Sequence, residues 1–153
     1  MTQSPLGVGI VGTGFGQKIH IPGFQAHPRT QAVAVYHRDR AKAEEIAAQH
    51  QIPHACQTVD ELVALPEVKA VSISTPPFLH YDMATAVLTA GKHLLLEKPT
   101  TLNADDARAL VQLAEQHQCV TCLDFEFRFV PAWMRLAELL ADGYVGQKRL
   151  IKI

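Results

Sequence analysis

The feature that most constrains the fold is a regular alternation of short, continuous apolar runs with amphipathic stretches. The runs lie at residues 6–11, 32–37, 70–74, 93–97 and 119–125, with a weaker candidate at 54–57. A strand that is apolar at consecutive positions is covered on both faces, as in a parallel sheet between two layers of helices. The pattern therefore predicts an α/β fold, a doubly wound parallel sheet with its ligand crevice at the carboxyl ends of the strands.

The stretches between the runs carry helix start and stop signals. Helices are expected after Thr58, Pro77 and Asn103. Thr58 and Glu61 have the spacing of a capping box, in which each residue satisfies backbone groups at the first turn. Gly91 is placed to end the second of these helices in the left-handed conformation. Strands and helices are thus expected to alternate along the whole chain.

Composition narrows the class of protein. A chain of 153 residues with 48% apolar and 19% charged residues can bury one good core and is too apolar to be disordered. The formal net charge of −1 offers no basic field for nucleic acid and no polybasic patch for a membrane. No run reaches the roughly 18 apolar residues of a membrane helix, and the start lacks a secretory pattern. A cytoplasmic location is therefore expected.

Glycines at positions 9, 12, 14 and 16 surround the end of the first run. Between a strand and a helix, Gly12 permits a sharp turn, and Gly14 lets a pyrophosphate approach the backbone near the helix N-terminus. The usual GxGxxG spacing requires a small residue at position 17, where this chain has Gln17, and its third glycine comes early at 16. The stretch indicates a dinucleotide site with an imperfect fingerprint, and a glycine turn that binds nothing is the alternative.

The end of the second run bears on the choice between NAD and NADP. Tyr36 or His37 stands where an NAD-binding protein places an acid, and Arg38 follows. A guanidinium binds a 2′-phosphate through paired hydrogen bonds, whereas a carboxylate repels it. The pattern favours NADP, with His37 and Arg38 as cofactor-binding candidates. Asp39 leaves NAD open, because a shift of one or two residues would let it bind a free ribose.

Two further stretches each close a predicted strand at its carboxyl end. They are STPPFLH at residues 74–80 and AGKHLLLEKP at residues 90–99. Together with GTGFG at residues 12–16, they resemble the Gfo/Idh/MocA family of NAD(P)-dependent oxidoreductases, which act on sugars, polyols and related compounds. The similarity runs from about residue 6 to residue 153, essentially the whole chain. It implies a Rossmann fold and an oxidoreductase activity.

The resemblance also implies roles for individual residues. Gly12, Gly14, Phe15 and Gly16 would hold the pyrophosphate, Ser74, Thr75, Pro76 and His80 would line the crevice, and Glu97 and Lys98 would lie close to the nicotinamide. Pro99 biases Lys98 away from helical geometry, so its side chain can project into the crevice. There the Lys98 ammonium would be the catalytic group, bonding the substrate oxygen and stabilising developing charge. For His80, a bond to a nearby backbone group is the alternative.

A division of the chain into two parts follows from the same resemblance. Residues 1–124 would form the nucleotide-binding Rossmann domain, and residues 125–153 the connecting helix and first strand of a truncated α+β domain. In this family the second domain supplies an Asp and a His for proton transfer, so the chain alone is expected to turn over little. The expected partners are a small-molecule substrate and a second copy of the chain, since an unpaired apolar strand is adhesive. A stand-alone NAD(P)-binding redox sensor or partner module is the alternative.

His20 and two of the three cysteines complete the set of candidates. For His20, contact with a bound cofactor and a capping or solvent role are both open. Cys119 and Cys122 have the C-x-x-C spacing of metal and redox sites. Residues three apart on a strand point to opposite faces, so one loop cannot bring both thiols to one ion. Both are expected to be core cysteines, and no metal is expected.

Overall fold

The computed structural model describes residues 4–147 and 149–150. Its strands are β1 (Leu6–Val11), β2 (Thr30–Tyr36), β3 (His54–Cys56), β4 (Ala70–Ile73), β5 (His93–Glu97) and β6 (Thr121–Asp124). They form one six-stranded sheet in the order β3-β2-β1-β4-β5-β6. Every neighbouring pair is parallel. All six predicted strands, including the weaker third, are confirmed.

In the described part of the chain, six α-helices connect or follow the strands. They are α1 (Ile21–Ala26), α2 (Arg40–His50), α3 (Val59–Ala64), α4 (His80–Thr89), α5 (Ala104–Gln116) and α6 (Pro131–Ala141). A π-helical turn at Gly16–His20 precedes α1, and 3-10 turns occupy Pro77–Leu79 and Glu126–Phe129. The chain builds the sheet outward from β1 to β3, returns to β4, and continues outward to β6. The switch point between β1 and β4 is where a doubly wound sheet opens its crevice, so the predicted fold class is confirmed.

Each face of the sheet packs into its own apolar core. The larger core joins the sheet to α3, α4 and α5 and includes Val11, Leu62, Val71, Ile73, Val87, Leu88, Leu94, Leu96 and Leu110. The smaller core joins the other face to α1 and α2 and includes Val8, Ile10, Ile21, Val35, Ile46 and Ile52. Consecutive residues such as Ile10 and Val11 enter different cores because side chains alternate along a strand. This two-sided burial explains the continuous apolar runs of the sequence.

The predicted helix signals act as expected. Thr58 Oγ1 accepts a hydrogen bond from the Glu61 backbone N–H at 3.0 Å at the start of α3. Asn103 Oδ1 accepts one from the Asp106 backbone N–H at 2.8 Å at the start of α5. Gly91 follows α4 with a φ of +69°, a left-handed conformation that glycine adopts without a steric penalty. These local signals fix where the helices begin and end around the crevice.

The prediction that both cysteines of the C-x-x-C pair belong to the core is wrong for Cys122. Cys119 precedes β6 and packs half-buried against the larger core, where burial raises the pKa of its thiol. Cys122 is exposed. It lies on the edge strand β6 and points to the face opposite Leu123, which packs against the larger core. The apolar pattern of the run could not show that Cys122 stays uncovered by the described helices.

The segment after β6 is mostly exposed. Helix α6, which corresponds to the expected connecting helix, begins at Pro131, and Gly143, with a φ of +75°, follows its end. Residues 149–150 have no regular structure, and the rest of the strand expected at residues 149–153 lies outside the described residues. Among the residues that are described, no helix combines the length and the apolarity needed to cross a membrane.

Candidate functional site

A groove of about 610 Å³ opens at the carboxyl ends of β1, β2 and β4. Its lining residues are Gly12, Thr13, Gly14, Tyr36, His37, Arg38, Ser74, Thr75, Pro76, Phe78, Leu79 and Met83. Its volume lies within the range of about 300–1,000 Å³ that is usual for small-molecule sites. The groove coincides with the switch point of the sheet. It brings together seven residues that the sequence indicated, namely Gly12, Gly14, His37, Arg38, Ser74, Thr75 and Pro76.

The glycine turn packs directly against the loop after β4. Gly12 has a φ of +114°, and a Cβ there would lie 2.7 Å from the backbone of Ser74. A Cβ at Gly16 would lie 2.6 Å from Ser74 Oγ, whereas a Cβ at Gly14 would meet nothing within 4 Å. Gly12 and Gly16 are therefore required by the fold. Gly14 instead faces open space in the groove, where a ligand can approach the backbone.

The early third glycine has a structural reason. Gly16 is buried at the contact with Ser74, so it provides the close packing that position 17 provides in the usual fingerprint. Gln17 is directed away from this contact, and its Nε2 donates to Gln49 Oε1 of α2 at 3.2 Å. Ser74 Oγ is buried between the glycines and has no hydrogen-bond partner among the described residues.

The helix after the turn starts in a wide π-helical form. The Ile21 backbone N–H donates to the Gly16 carbonyl, five residues earlier, and the α-helical pattern begins only at Ile21. Pro22 lies in the first turn of α1, where a missing N–H is tolerated. The helix therefore changes type at Ile21, one residue before Pro22. This arrangement turns His20 inward, where it is 6% exposed.

The loop after β2 presents one arginine to the groove. Arg38 is exposed in the groove wall, and no side chain among the described residues bonds its guanidinium. Arg40 instead donates to the Ala55 carbonyl at 2.8 Å and pairs with Glu61 at 3.3 Å. Asp39 caps α2, with Oδ1 accepting from a backbone N–H at 3.0 Å. The local charge available to a ligand at this end is therefore positive.

His80 lies behind the groove wall and joins two loops. Its ring is fully buried, with Nε2 2.8 Å from the Thr75 carbonyl oxygen and Nδ1 2.8 Å from the Pro99 carbonyl oxygen. A protonated ring donates to both carbonyls, and a neutral ring to one of them. The alternative expected for His80, a bond to nearby backbone, is the one the structure shows. The ring therefore joins the loop after β4 (residues 74–77, the STPP loop) to the loop after β5 (residues 97–99, the EKP loop).

Lys98 lies at the end of β5 in a separate cavity next to the groove. This cavity is lined by Lys98, Pro99, Thr100, Thr101, Asn103, Ala107 and Phe125. The Lys98 side chain is 49% exposed, and Nζ lies 3.3 Å from Glu126 Oε1 and 3.9 Å from Glu97 Oε2. A bond from its own backbone N–H, and then the Lys98 ammonium, lower the pKa of the Glu126 carboxyl. Two carboxylates thus hold an accessible ammonium at the carboxyl edge of the sheet.

Glu97 and His20 meet beneath this ammonium, on the face covered by α1. His20 Nδ1 lies 2.6 Å from Ser72 Oγ, and Nε2 lies 3.1 Å from Asp124 Oδ2 and 3.7 Å from Glu97 Oε1. Glu97 is 8% exposed and does not line the groove. Phe15 is exposed and contacts the His20 ring edge-on, at a centroid distance of 5.2 Å.

Several residues of the site were not predicted from the sequence. Thr13, Tyr36, Phe78, Leu79 and Met83 line the groove without having been assigned to it. Phe78 is 67% exposed, a large aromatic side chain at the rim. Asp124 and Glu126 follow the logic that identified Lys98, because each lies at or just after the carboxyl end of a strand. Strand-end position was the signal that could have found them.

Comparison with known proteins identifies the family of this chain. The model of the Gfo/Idh/MocA oxidoreductase family, described as an NAD-binding Rossmann fold, matches residues 6–125. The chain belongs to the Gfo/Idh/MocA family. This membership confirms the resemblance seen in the sequence and identifies the parallel sheet as the NAD-binding Rossmann domain of an oxidoreductase family.

Relatives of this Gfo/Idh/MocA protein include sugar dehydrogenases. An uncharacterized oxidoreductase of Synechocystis sp. is 53% identical over 154 residues, covering 100% of this chain and 42% of the relative. The D-xylose 1-dehydrogenase (NADP(+)) 2 of Haloferax volcanii is 38% identical over 135 residues, covering 88% and 41%. The crystal structure of a 3-ketoreductase from Actinomadura kijaniata in complex with NADP has a TM-score of 0.87 at 26% identity, covering 94% and 46%. This chain spans less than half the length of each.

Proposed function

We propose that the groove binds NADP and that Lys98 serves hydride transfer between this cofactor and a sugar, polyol or related substrate. The observation that supports this best is that three loops and Lys98 converge at one edge of the sheet. The glycine turn, the Arg38 loop and the STPP loop form one groove, and His80 ties that groove to the loop carrying Lys98. These segments are far apart in the sequence and meet only at the carboxyl edge of the sheet.

The residues present fit a dinucleotide. Gly14 leaves an open cradle over the backbone, and a Cβ at Gly12 or Gly16 would close the turn against Ser74. The backbone N–H groups that begin the helix after Gly14 would bind the pyrophosphate. When bound, the reduced cofactor supplies the hydride. Thr75 and Pro76 would form the wall of the groove between the pyrophosphate and Lys98.

Lys98 would act on the substrate oxygen. Its ammonium donates a hydrogen bond to a carbonyl oxygen and gives up a proton as negative charge develops there. Glu126 and Glu97 hold the ammonium at the end of β5. The exposed half of the side chain leaves it accessible to a substrate.

Arg38 supports NADP over NAD. Its guanidinium is free of side-chain partners in the described part of the chain, while Asp39 is engaged as the cap of α2. A guanidinium and a 2′-phosphate form paired, charge-assisted hydrogen bonds. Two of the relatives above are named with NADP, which agrees with this assignment.

The test is a titration of NADPH and NADH, followed by nicotinamide fluorescence, on the wild-type chain and on Arg38→Ala. We expect the substitution to weaken NADPH binding about 10- to 100-fold, because it removes hydrogen bonds to a charged group. NADH binding should change little. Arg29→Ala, which removes an equal charge at the opposite end of β2, should leave both affinities unchanged. Tighter binding of NADH, unaffected by Arg38→Ala, would refute the assignment.

We also infer that a domain boundary follows residue 124, with cofactor binding assigned to the part before it. The sheet that forms the groove ends at Asp124, and helix α6 after it has no buried residue. In this proposal residues 125–153 lead toward a second domain that supplies proton-transfer groups, and the chain alone binds cofactor but turns over little. The intact mass of the protein in its native cell tests this. A species much heavier than 16.8 kDa agrees with it, and one near that mass favours a stand-alone binding module.

A further inference from the structure

Three side chains with metal-ligating atoms meet in a buried position beneath Lys98. His20 comes from the π-helical turn, Glu97 from the end of β5 and Asp124 from the end of β6. One imidazole nitrogen and one oxygen of each carboxylate lie within 4.8 Å of one another. These three residues are called the His20 cluster below. The proposed cofactor chemistry uses Glu97 to hold Lys98 but assigns no role to His20 or Asp124.

The separations within the His20 cluster suit a coordinated cation. His20 Nε2 lies 3.1 Å from Asp124 Oδ2 and 3.7 Å from Glu97 Oε1. Zinc bonds to imidazole nitrogen and carboxylate oxygen are about 2.0–2.2 Å, which places two ligands of a tetrahedral site roughly 3.4 Å apart. These two separations lie on either side of that value. Side-chain shifts of a few tenths of an ångström would bring these ligand pairs to coordination distance.

Partners outside the cluster already orient two of its members. Ser72 Oγ lies 2.6 Å from His20 Nδ1, which directs Nε2 toward the two carboxylates. The Lys98 backbone N–H donates to Glu97 Oε2 at 3.1 Å, which leaves Oε1 directed at His20. In metal sites, such outer hydrogen bonds fix the direction of the ligating imidazole and carboxylate.

Glu97 Oε1 gives an independent sign that a partner is missing. Glu97 is 8% exposed, and Oε1 has no hydrogen-bond partner among the described residues. A buried carboxylate oxygen without a partner is costly. A simple hydrogen bond from His20 Nε2–H to Asp124 explains the shorter separation but leaves this oxygen unsatisfied. A cation between the three side chains satisfies all of them.

The local charges agree with a divalent ion. Three carboxylates, those of Glu97, Asp124 and Glu126, surround the His20 and Lys98 side chains. With a neutral imidazole and one ammonium, the group carries a net charge of −2. Nitrogen and oxygen ligands without thiolate suit zinc and the neighbouring first-row divalent ions.

We propose that the His20 cluster binds one zinc ion, or a divalent ion of the same class, through His20 Nε2, Glu97 Oε1 and Asp124 Oδ2. Three protein ligands leave a fourth position open to water or to a ligand oxygen. The proposal does not depend on NADP binding and is tested without cofactor. Its failure therefore leaves the cofactor assignment untouched.

The experiment is a calorimetric titration of the metal-stripped chain with zinc chloride, repeated with cobalt chloride and followed by absorption. We expect one ion per chain and a cobalt spectrum without a thiolate band, which separates this site from the free cysteines. Asp124→Asn and His20→Gln should each abolish stoichiometric binding. Ser72→Ala, which removes only the orienting partner, should weaken binding about 10- to 100-fold. Asp105→Asn, at an exposed carboxylate, and His54→Gln, at a half-buried histidine paired with Glu67, lie outside the cluster and should have no effect.

Three results would overturn the metal assignment. They are the absence of stoichiometric binding, an affinity unchanged in both Asp124→Asn and His20→Gln, or a cobalt spectrum with a thiolate band. Nitrogen-detected NMR of the histidine rings keeps the test valid if a variant fails to fold. Zinc should change the His20 ring signals of the wild-type chain selectively. A His20 ring that keeps a proton on Nε2 in the presence of zinc would contradict coordination.

Discussion

His80 shows how one residue can shape a binding site without touching its ligand. The ring is fully buried, and each nitrogen faces a backbone carbonyl of a different loop. One of these loops lines the proposed cofactor groove and the other carries Lys98. A single imidazole therefore joins the two parts of the proposed site, whose strands β4 and β5 also pair in the sheet.

Replacing His80 tests this role. His80→Phe keeps an aromatic ring of similar size but leaves the part-buried carbonyls of Thr75 and Pro99 without a ring donor. Each unsatisfied carbonyl costs on the order of 1–3 kcal/mol, so urea unfolding should show a clear loss of stability. NADPH affinity should fall as well, because the two loops are no longer held together. His27→Phe, at an exposed histidine, is the control and should change neither quantity.

At the scale of elements, the turn between β1 and α1 contains two glycines with different roles, one in packing and one in the groove. Gly16 is packed against Ser74, whereas Gly14 faces the open groove. Gly16→Ala should destabilise the fold by about 1–3 kcal/mol, because the added methyl group overlaps Ser74 Oγ. Gly14→Ala should leave stability almost unchanged and weaken NADPH binding by blocking close approach of the pyrophosphate.

Thermal unfolding and NADPH titration of these two variants form a matched pair. We expect only Gly16→Ala to lose stability. We expect Gly14→Ala to stay folded and to lose affinity for NADPH. Equal NADPH affinity of Gly14→Ala and the wild type would show that the turn does not hold the pyrophosphate.

The elements also show which features the sequence could predict. The caps at Thr58 and Asn103 and the helix end at Gly91 depend on neighbouring residues, so local spacing was sufficient. The ends of the strands could also be predicted from the sequence, which is why Lys98, directly after β5, was predicted as a site residue. The exposure of Cys122 was not, because it depends on which helix covers an edge strand.

The His20 cluster lay beyond local patterns for a different reason. It requires the π-helical turn that directs His20 inward and the pairing of β5 with β6, which sets Glu97 beside Asp124. These residues are up to 104 positions apart. The register between strands is a property of the assembled sheet, so no sequence spacing encodes it.

At the scale of the whole molecule, apolar surface is concentrated beyond the last strands. An apolar groove between α5 and the edge of the sheet is lined by Leu88, Leu94, Leu96, Leu110, Val111 and Leu123, among others. Val111 of α5 is 57% exposed beside this groove. On α6, Trp133, Met134 and Leu136 are 39%, 47% and 40% exposed. Exposed apolar surface of this kind favours association.

We therefore expect the chain to self-associate as its concentration rises, with α6 contributing to the contact. Leu136→Lys places a charge on the apolar face of α6 and should shift the light-scattering mass toward the monomer. Gln116→Lys, which adds the same charge at an exposed position of α5, should leave the wild-type concentration dependence in place. A wild-type chain that stays monomeric at high concentration would show that this surface does not join two copies. An equal shift in both variants would instead assign the association to net charge, since the two substitutions differ only in the surface they alter.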